Sequence, residues 1–132
     1  MSIRKKLSDC IKTIVDDLKE KEVTRTEFHM NHAPKNAATP YIVFRIEDII
    51  NSSPSYNATL KMMLYDDRNK TSEKNIENAD IIRRSFDMLQ KVHEDIALHS
   101  LLIIEQNIPS EYLTDKQVIE QQYDIRIYER NN

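Results

Sequence analysis

The stretch of residues 56–89 changes its hydrophobic periodicity once, and this change limits the possible folds more than any other feature of the sequence. In residues 56–65 apolar and polar side chains alternate, which is typical of a half-buried strand. After a polar turn at 66–70 the apolar residues are three or four positions apart, as on an amphipathic helix: Ile76, Ala79, Ile82, Phe86 and Leu89. We therefore predict a strand that leads into a helix covering one face of a sheet.

The rest of the chain adds one more helix and three more strands by the same reasoning. Apolar residues at helical spacing follow Ser2, which can cap a helix over residues 3–21. The polar stretch 22–39 predicts an irregular connection, with a short extended piece at Phe28 or Val23. We expect the second helix to run from about residue 71 to about 93, and the remaining strands to be 41–47, 98–106 and 117–128.

The element order α-β-β-α-β-β predicts an α+β fold with one antiparallel sheet of about four strands and two helices packed on one face. The strands at 41–47 and 56–65 are expected to pair as an antiparallel hairpin. Because no linker or internal repeat interrupts the pattern, residues 1–132 are predicted to form a single domain.

Composition excludes several functional classes. A net charge of −3 gives no electrostatic reason to expect specific nucleic-acid or membrane binding. No stretch approaches the roughly 20 apolar residues of a membrane span, and the N-terminal residues lack the apolar run of a signal peptide. Cys10 is the only cysteine, so no internal disulfide can form, and its place on the apolar side of the first helix predicts a core residue.

The sequence contains no glycine. Phosphate-binding loops and dinucleotide-binding fingerprints need glycine where the backbone turns tightly and approaches the ligand, so neither motif can occur here. Turns must instead use Asn, Asp, Ser and Pro.

Three groups of residues have the composition of a metal or catalytic site, and none has its spacing. His29 and His32 could contribute two ligands to zinc, which needs three or four. Asp66 and Asp67 follow a strand, as magnesium-binding carboxylates do, but no second acidic group is identified, and a turn explains the pair. A polar chain reversal after the second helix similarly explains the third group: His93, Glu94, Asp95 and His99. We therefore predict no catalytic residue, no metal and no cofactor, and a protein that is not an enzyme.

The face of the sheet opposite the helices is the more informative surface. If alternate residues of each strand face the helices, Met63 and Tyr65 face outward, and so do Arg126 and Tyr128. Aromatic residues, Met and Arg are enriched in protein interfaces, so this face is a candidate contact surface; a merely solvated face is the alternative. Exposed edge strands could also pair with another subunit.

The layout resembles the tail terminator (tail completion, head–tail joining) proteins of long-tailed bacteriophages and prophages over nearly the whole chain. The likeness is carried by the first helix and by three strand segments: PYIVF at residues 40–44, YNATLKMMLYDD at 56–67 and QQYDIRIY at 121–128. In that family the strand before the long helix often ends in an aromatic residue followed by an acidic one, as Tyr65 and Asp66 do here. The absence of glycine from the last hairpin, at 107–115, is a departure from the family pattern.

The resemblance implies an assembly role without catalytic residues. It implies a homo-oligomer, a hexameric ring on the end of the tail tube, which stops tube polymerisation and meets the head connector or neck protein. The protein would then lie in the virion, at the head-proximal end of the tail, after assembly in the bacterial cytoplasm. Loops 22–39 and 107–115 would reach these partners, with Phe28 and Tyr112 as candidate contacts. A related neck or tail-tube component, or a small α+β protein-binding adaptor, remains the alternative.

Overall fold

The computed structural model describes residues 2–21, 26–68, 73–108 and 115–130. Within these ranges the chain forms two helices and six strands. In chain order the elements are α1 (Ile3–Lys21), β1 (Glu27–Met30), β2 (Tyr41–Asn51), β3 (Tyr56–Asp67), α2 (Glu73–Phe86), β4 (Leu89–His93), β5 (Ile96–Asn107) and β6 (Lys116–Glu129).

The six strands form one mixed sheet in the order β1-β2-β3-β6-β5-β4, curved into a half-barrel. β1 runs parallel to β2, and the other neighbouring pairs are antiparallel. The predicted antiparallel hairpin of β2 and β3 is confirmed. The prediction of about four antiparallel strands in the order α-β-β-α-β-β is wrong, because it lacks β1 and β4.

Helix α2 ends at Phe86, and the predicted extension to about residue 93 is wrong. The Asp87 N–H still donates to the Arg83 carbonyl at 2.8 Å, but Met88 takes a left-handed conformation with φ of 56°, which ends the helix. The next five residues pair with β5 as strand β4. Leu89 fits the helical spacing and equally fits the first position of this strand. Periodicity alone therefore does not distinguish a longer helix α2 from strand β4 at this position.

Strand β1 lies in the stretch predicted as an irregular connection. Its four residues pair in parallel with Tyr41 to Phe44, and the extended piece anticipated at Phe28 is this strand. Val23, the other candidate, lies outside the described residues. A strand of four residues carries too little alternation to be separated from a loop by sequence.

Both helices pack on the same face of the sheet and share one core with it. Ser2 caps α1 as predicted: its Oγ accepts the Lys5 N–H at 3.2 Å, and its carbonyl accepts the Lys6 N–H at 3.1 Å. Cys10 is fully buried in this core, and burial raises the pKa of its thiol. The largest fully buried side chains include Leu7 and Ile11 of α1, Ile82 and Phe86 of α2, and Leu60, Met62, Leu64 and Tyr123 of the sheet.

Without glycine, the chain uses other residues where the backbone is left-handed. The φ angle is 71° at Asn31, 54° at Asp48, 56° at Met88 and 55° at Glu94. Asn and Asp tolerate this region best among non-glycine residues, as the sequence led us to expect. Met and Glu do not have this tolerance, so the turns before and after β4 are strained by their side chains.

Replacing Glu94 with glycine should raise the free energy of unfolding by about 1 kcal/mol, because glycine adopts this conformation without a Cβ clash. The Glu94 side chain is exposed, so little else is lost. Urea denaturation measures the effect. Glu94→Ala keeps the Cβ and is the control; an equal gain from alanine would contradict the strain at this position.

Candidate functional site

The candidate site is the outer face, defined as the sheet surface opposite the helices. It is formed by alternate residues of each strand, and the register brings those residues into rows across the sheet. The outer face has three zones along the strands. The first is apolar, the second is charged, and the third, called the mixed zone, combines polar and apolar side chains.

The apolar zone is a second, smaller core. Tyr41, Val43, Met63 and Val118 are buried there, and half-buried residues pack against them: Ala33, Ala37, Tyr65 and Ile108. The rings of Tyr41 and Tyr65 stack with centroids 4.9 Å apart, and His29 meets Tyr41 edge-on at 6.0 Å. Burial raises the pKa of both tyrosines. Because Ala33 and Ala37 belong to the connection between β1 and β2, this connection covers part of the outer face.

The charged zone lies in the middle of the face. Lys61 Nζ lies 3.7 Å from carboxylate oxygens of both Glu47 and Glu120, and Arg45 Nε lies 3.7 Å from Glu47. Gln122 Nε2 donates to Glu120 Oε1 at 2.6 Å. Opposite charges therefore largely compensate one another here, and the zone separates the two ends of the outer face.

The mixed zone contains a cavity of about 310 Å³ near the β4–β5 edge. Its polar lining comes from Gln90, His99, Asp124 and Arg126, and its apolar lining includes Met88 and Leu101. The ring of His99 meets Tyr128 edge-on at 5.7 Å. Arg126 is exposed, so its guanidinium is accessible to a partner.

The residues predicted as contacts do not form one cluster. Met63 is buried in the apolar zone and Tyr65 is half-buried against Tyr41. Arg126 and Tyr128 belong to the mixed zone. Arg126 is opposite Asn57, which precedes Tyr65 by eight residues on β3, so Arg126 and Tyr65 are about 26 Å apart along the strands.

The two contact residues predicted in the loops are Phe28 and Tyr112. Phe28 is buried in the main core on the helix-covered side, so its side chain does not face the outer surface. Tyr112 lies outside the described residues.

The groups weighed as catalytic lie far apart. Asp66 is buried and its Oδ1 accepts the Asp67 N–H at 2.8 Å, at the end of β3 opposite Gln117. His99 lies on β5, opposite Arg126 of β6. Arg126 is nine residues from Gln117 along β6, so about 30 Å separates His99 from Asp66.

The first and third weighed groups lie at opposite edges of the sheet, so they cannot combine into one site. His29 on β1 and His93 on β4 occupy opposite edges. Within the described residues, no three His, Cys, Asp or Glu side chains are grouped closely enough to hold a metal ion.

The sequence interpretation missed the exposure of the apolar run in β5. Leu101, Ile103 and Ile104 are 54%, 60% and 40% exposed, whereas the sequence predicts only a strand for this run. The signal was present: four consecutive apolar residues cannot all face the single helix-covered side of a sheet, because neighbouring side chains alternate.

Comparison of the sequence with protein-family models gives no match, and comparison with characterised proteins gives none either. Among the described residues, neither helix combines the length and the apolar character needed to cross a membrane.

Proposed function

We propose that this protein is a structural subunit of the tail-terminator type, from a bacteriophage or a prophage. Its subunits form a ring, with six copies as the expected number, on the head-proximal end of a tail tube. The ring ends polymerisation of the tube and joins the tail to the head connector or neck protein. The protein acts in the virion after assembly in the bacterial cytoplasm, and it catalyses no reaction.

The observation that carries this proposal is the outer face itself. No helix of the described chain covers it, and its mixed zone presents an accessible Arg126, the ring of Tyr128 and apolar side chains around a shallow cavity. This combination of aromatic, Arg and apolar groups is the composition of interface cores. The separation of Asp66 from His99, and of His29 from His93, favours a contact surface over an active site.

Mass photometry of the purified chain, alone and with purified tail tubes, tests the proposal. We expect particles of about six times the 15.6 kDa mass of the chain, and density at one end of each tube by electron microscopy. Arg126→Glu should weaken ring formation at least tenfold, because it reverses the accessible charge of the mixed zone. Arg4→Glu is the matched control, since Arg4 is exposed on α1, on the other side of the sheet.

Two results would count against this function. A chain that stays monomeric and never associates with tubes would refute it. Open-ended tubes formed by the chain alone would favour a tube component, because a terminator stops after one ring.

A further inference from the structure

The second half of β5 extends beyond its neighbour β4. Strand β4 pairs only with residues 96–100 of β5, whereas β6 pairs with β5 as far as Asn107. Residues 101–107, which we call the overhang, therefore have an unpaired side among the described residues. The cause is the turn at Asp87 and Met88, which places the start of β4 opposite Ser100.

The backbone groups on the open side of the overhang can be identified from their neighbours. The Leu102 N–H donates to Asp87 Oδ1 at 2.9 Å on the β4 side. The Ile108 N–H donates to the Val118 carbonyl on the β6 side at 3.0 Å. Since successive residues direct their backbone groups to alternate sides of a strand, those of Glu105 and Asn107 face the open side.

The overhang combines these backbone groups, for which the described residues supply no partner, with exposed apolar side chains. A register shift between Leu102 and Ile104 leaves Ile103 as an extra residue, 60% exposed. Leu101 and Ile104 are also exposed. An unpaired edge that is also apolar is the kind of edge that pairs with another strand.

We propose that the overhang pairs with the same segment of a second copy, as two antiparallel strands related by a twofold axis. This goes beyond the proposed function, because the contact can exist with or without a ring. The only charged side chain of the overhang is Glu105, and Arg83 Nη1 already contacts both of its carboxylate oxygens, at 2.8 and 3.0 Å. Arg83 is shared with Asp80, so one negative charge remains in each copy, but the pairing of Glu105 with Arg83 reduces like-charge repulsion between two copies. Each copy then covers the apolar residues of the other.

The other overhanging edge of the chain is a poorer partner. Beyond Phe44, strand β2 has no described neighbour on the β1 side. However, this part of β2 contains Arg45, Glu47 and Asp48, and it is interrupted by a register shift and by the positive φ at Asp48. Charges and bulges are the devices that protect an edge from pairing, and pairing it with the overhang would bury charges against apolar residues.

Sedimentation velocity over a concentration series tests the inference on the full chain. We expect a step in which the particle mass doubles with concentration, from one chain to two or from one ring to two. The dissociation constant of this step should rise at least tenfold in Ile103→Lys and in Leu101→Lys. Ile50→Lys is the matched control, because Ile50 is 57% exposed and lies outside the overhang. Hydrogen exchange supplies an independent readout: the amides of Glu105 and Asn107 should gain protection as the dimer forms.

The outcomes separate this inference from the proposed function. A monomer at every concentration, or a dimer weakened equally by Ile50→Lys, would overturn the twofold pairing. A mass-doubling step that is unchanged in Ile103→Lys would also overturn it, and six-copy rings that form in that variant would leave the proposed function intact. A dimer that depends on Ile103 and never binds tail tubes would support the pairing and refute the terminator role.

Discussion

Phe86→Ala is expected to lower the free energy of unfolding by about 4 kcal/mol. Phe86 ends α2, is fully buried, and its ring lies 5.7 Å from that of Tyr123 at an interplanar angle of 50°. Truncation removes this aromatic contact and leaves a cavity between the helix and the sheet. A domain of this size has a total stability of roughly 5–15 kcal/mol, so the variant should be close to unfolding. Urea denaturation followed by circular dichroism measures the loss.

The control for Phe86→Ala lies two residues further along. Met88 is 79% exposed, and Met88→Ala should change the free energy of unfolding by less than about 0.5 kcal/mol. Phe86→Leu, which refills most of the volume, should lose less than half as much as Phe86→Ala. If Phe86→Ala were as mild as Met88→Ala, α2 would not be held to the sheet by this residue.

The elements that could be predicted from sequence are those with long, regular patterns. The sequence of β3 alternates over residues 56–65, and α1 has a cap and a continuous apolar side, so their positions follow from the residues alone. The structure places both close to their predicted bounds. The final strand β6 was also found, two residues longer in total than predicted.

The elements that could not be predicted are short and depend on distant neighbours. β1 has four residues and β4 has five, and each is a strand because a longer strand lies beside it to accept its hydrogen bonds. Tertiary contacts of this kind override local pattern. The glycine-free composition hid the turns as well, since Met88 and Glu94 are not residues that signal a left-handed turn.

The candidate contact surface was predictable in part. Alternation correctly assigned Arg126 and Tyr128 to the outer face, but it could not show that the connection after β1 folds over Met63 and Tyr65. Alternation also cannot show where β4 begins, and the exposure of the overhang depends on that starting point. Long-range geometry, which one sequence does not encode locally, therefore decides how much of the surface is accessible.

Gln121→Leu is expected to lower the free energy of unfolding by about 3 kcal/mol, which is the second large effect. Gln121 is fully buried at the centre of a polar network under α2. Its Nε2 donates to the Ala79 carbonyl at 2.9 Å and to Glu105 Oε2 at 2.6 Å, and its Oε1 accepts the Tyr123 hydroxyl at 2.7 Å. Leucine would leave the hydroxyl and the carbonyl buried without partners, and each such group costs roughly 1–3 kcal/mol.

A double-mutant cycle with Tyr123→Phe tests whether these bonds, rather than side-chain volume, cause the loss. Burial raises the pKa of Tyr123 well above its usual value, so at neutral pH its hydroxyl is protonated and donates to Gln121. Tyr123→Phe alone should cost about 1 kcal/mol, because it deprives Gln121 Oε1 of its donor. In the double variant both partners of that bond are gone, so the total loss measured by urea denaturation should fall about 1 kcal/mol short of the sum of the single losses. Strict additivity would mean that the Tyr123–Gln121 hydrogen bond contributes nothing, and that Gln121 acts through its contacts with α2 and Glu105 alone.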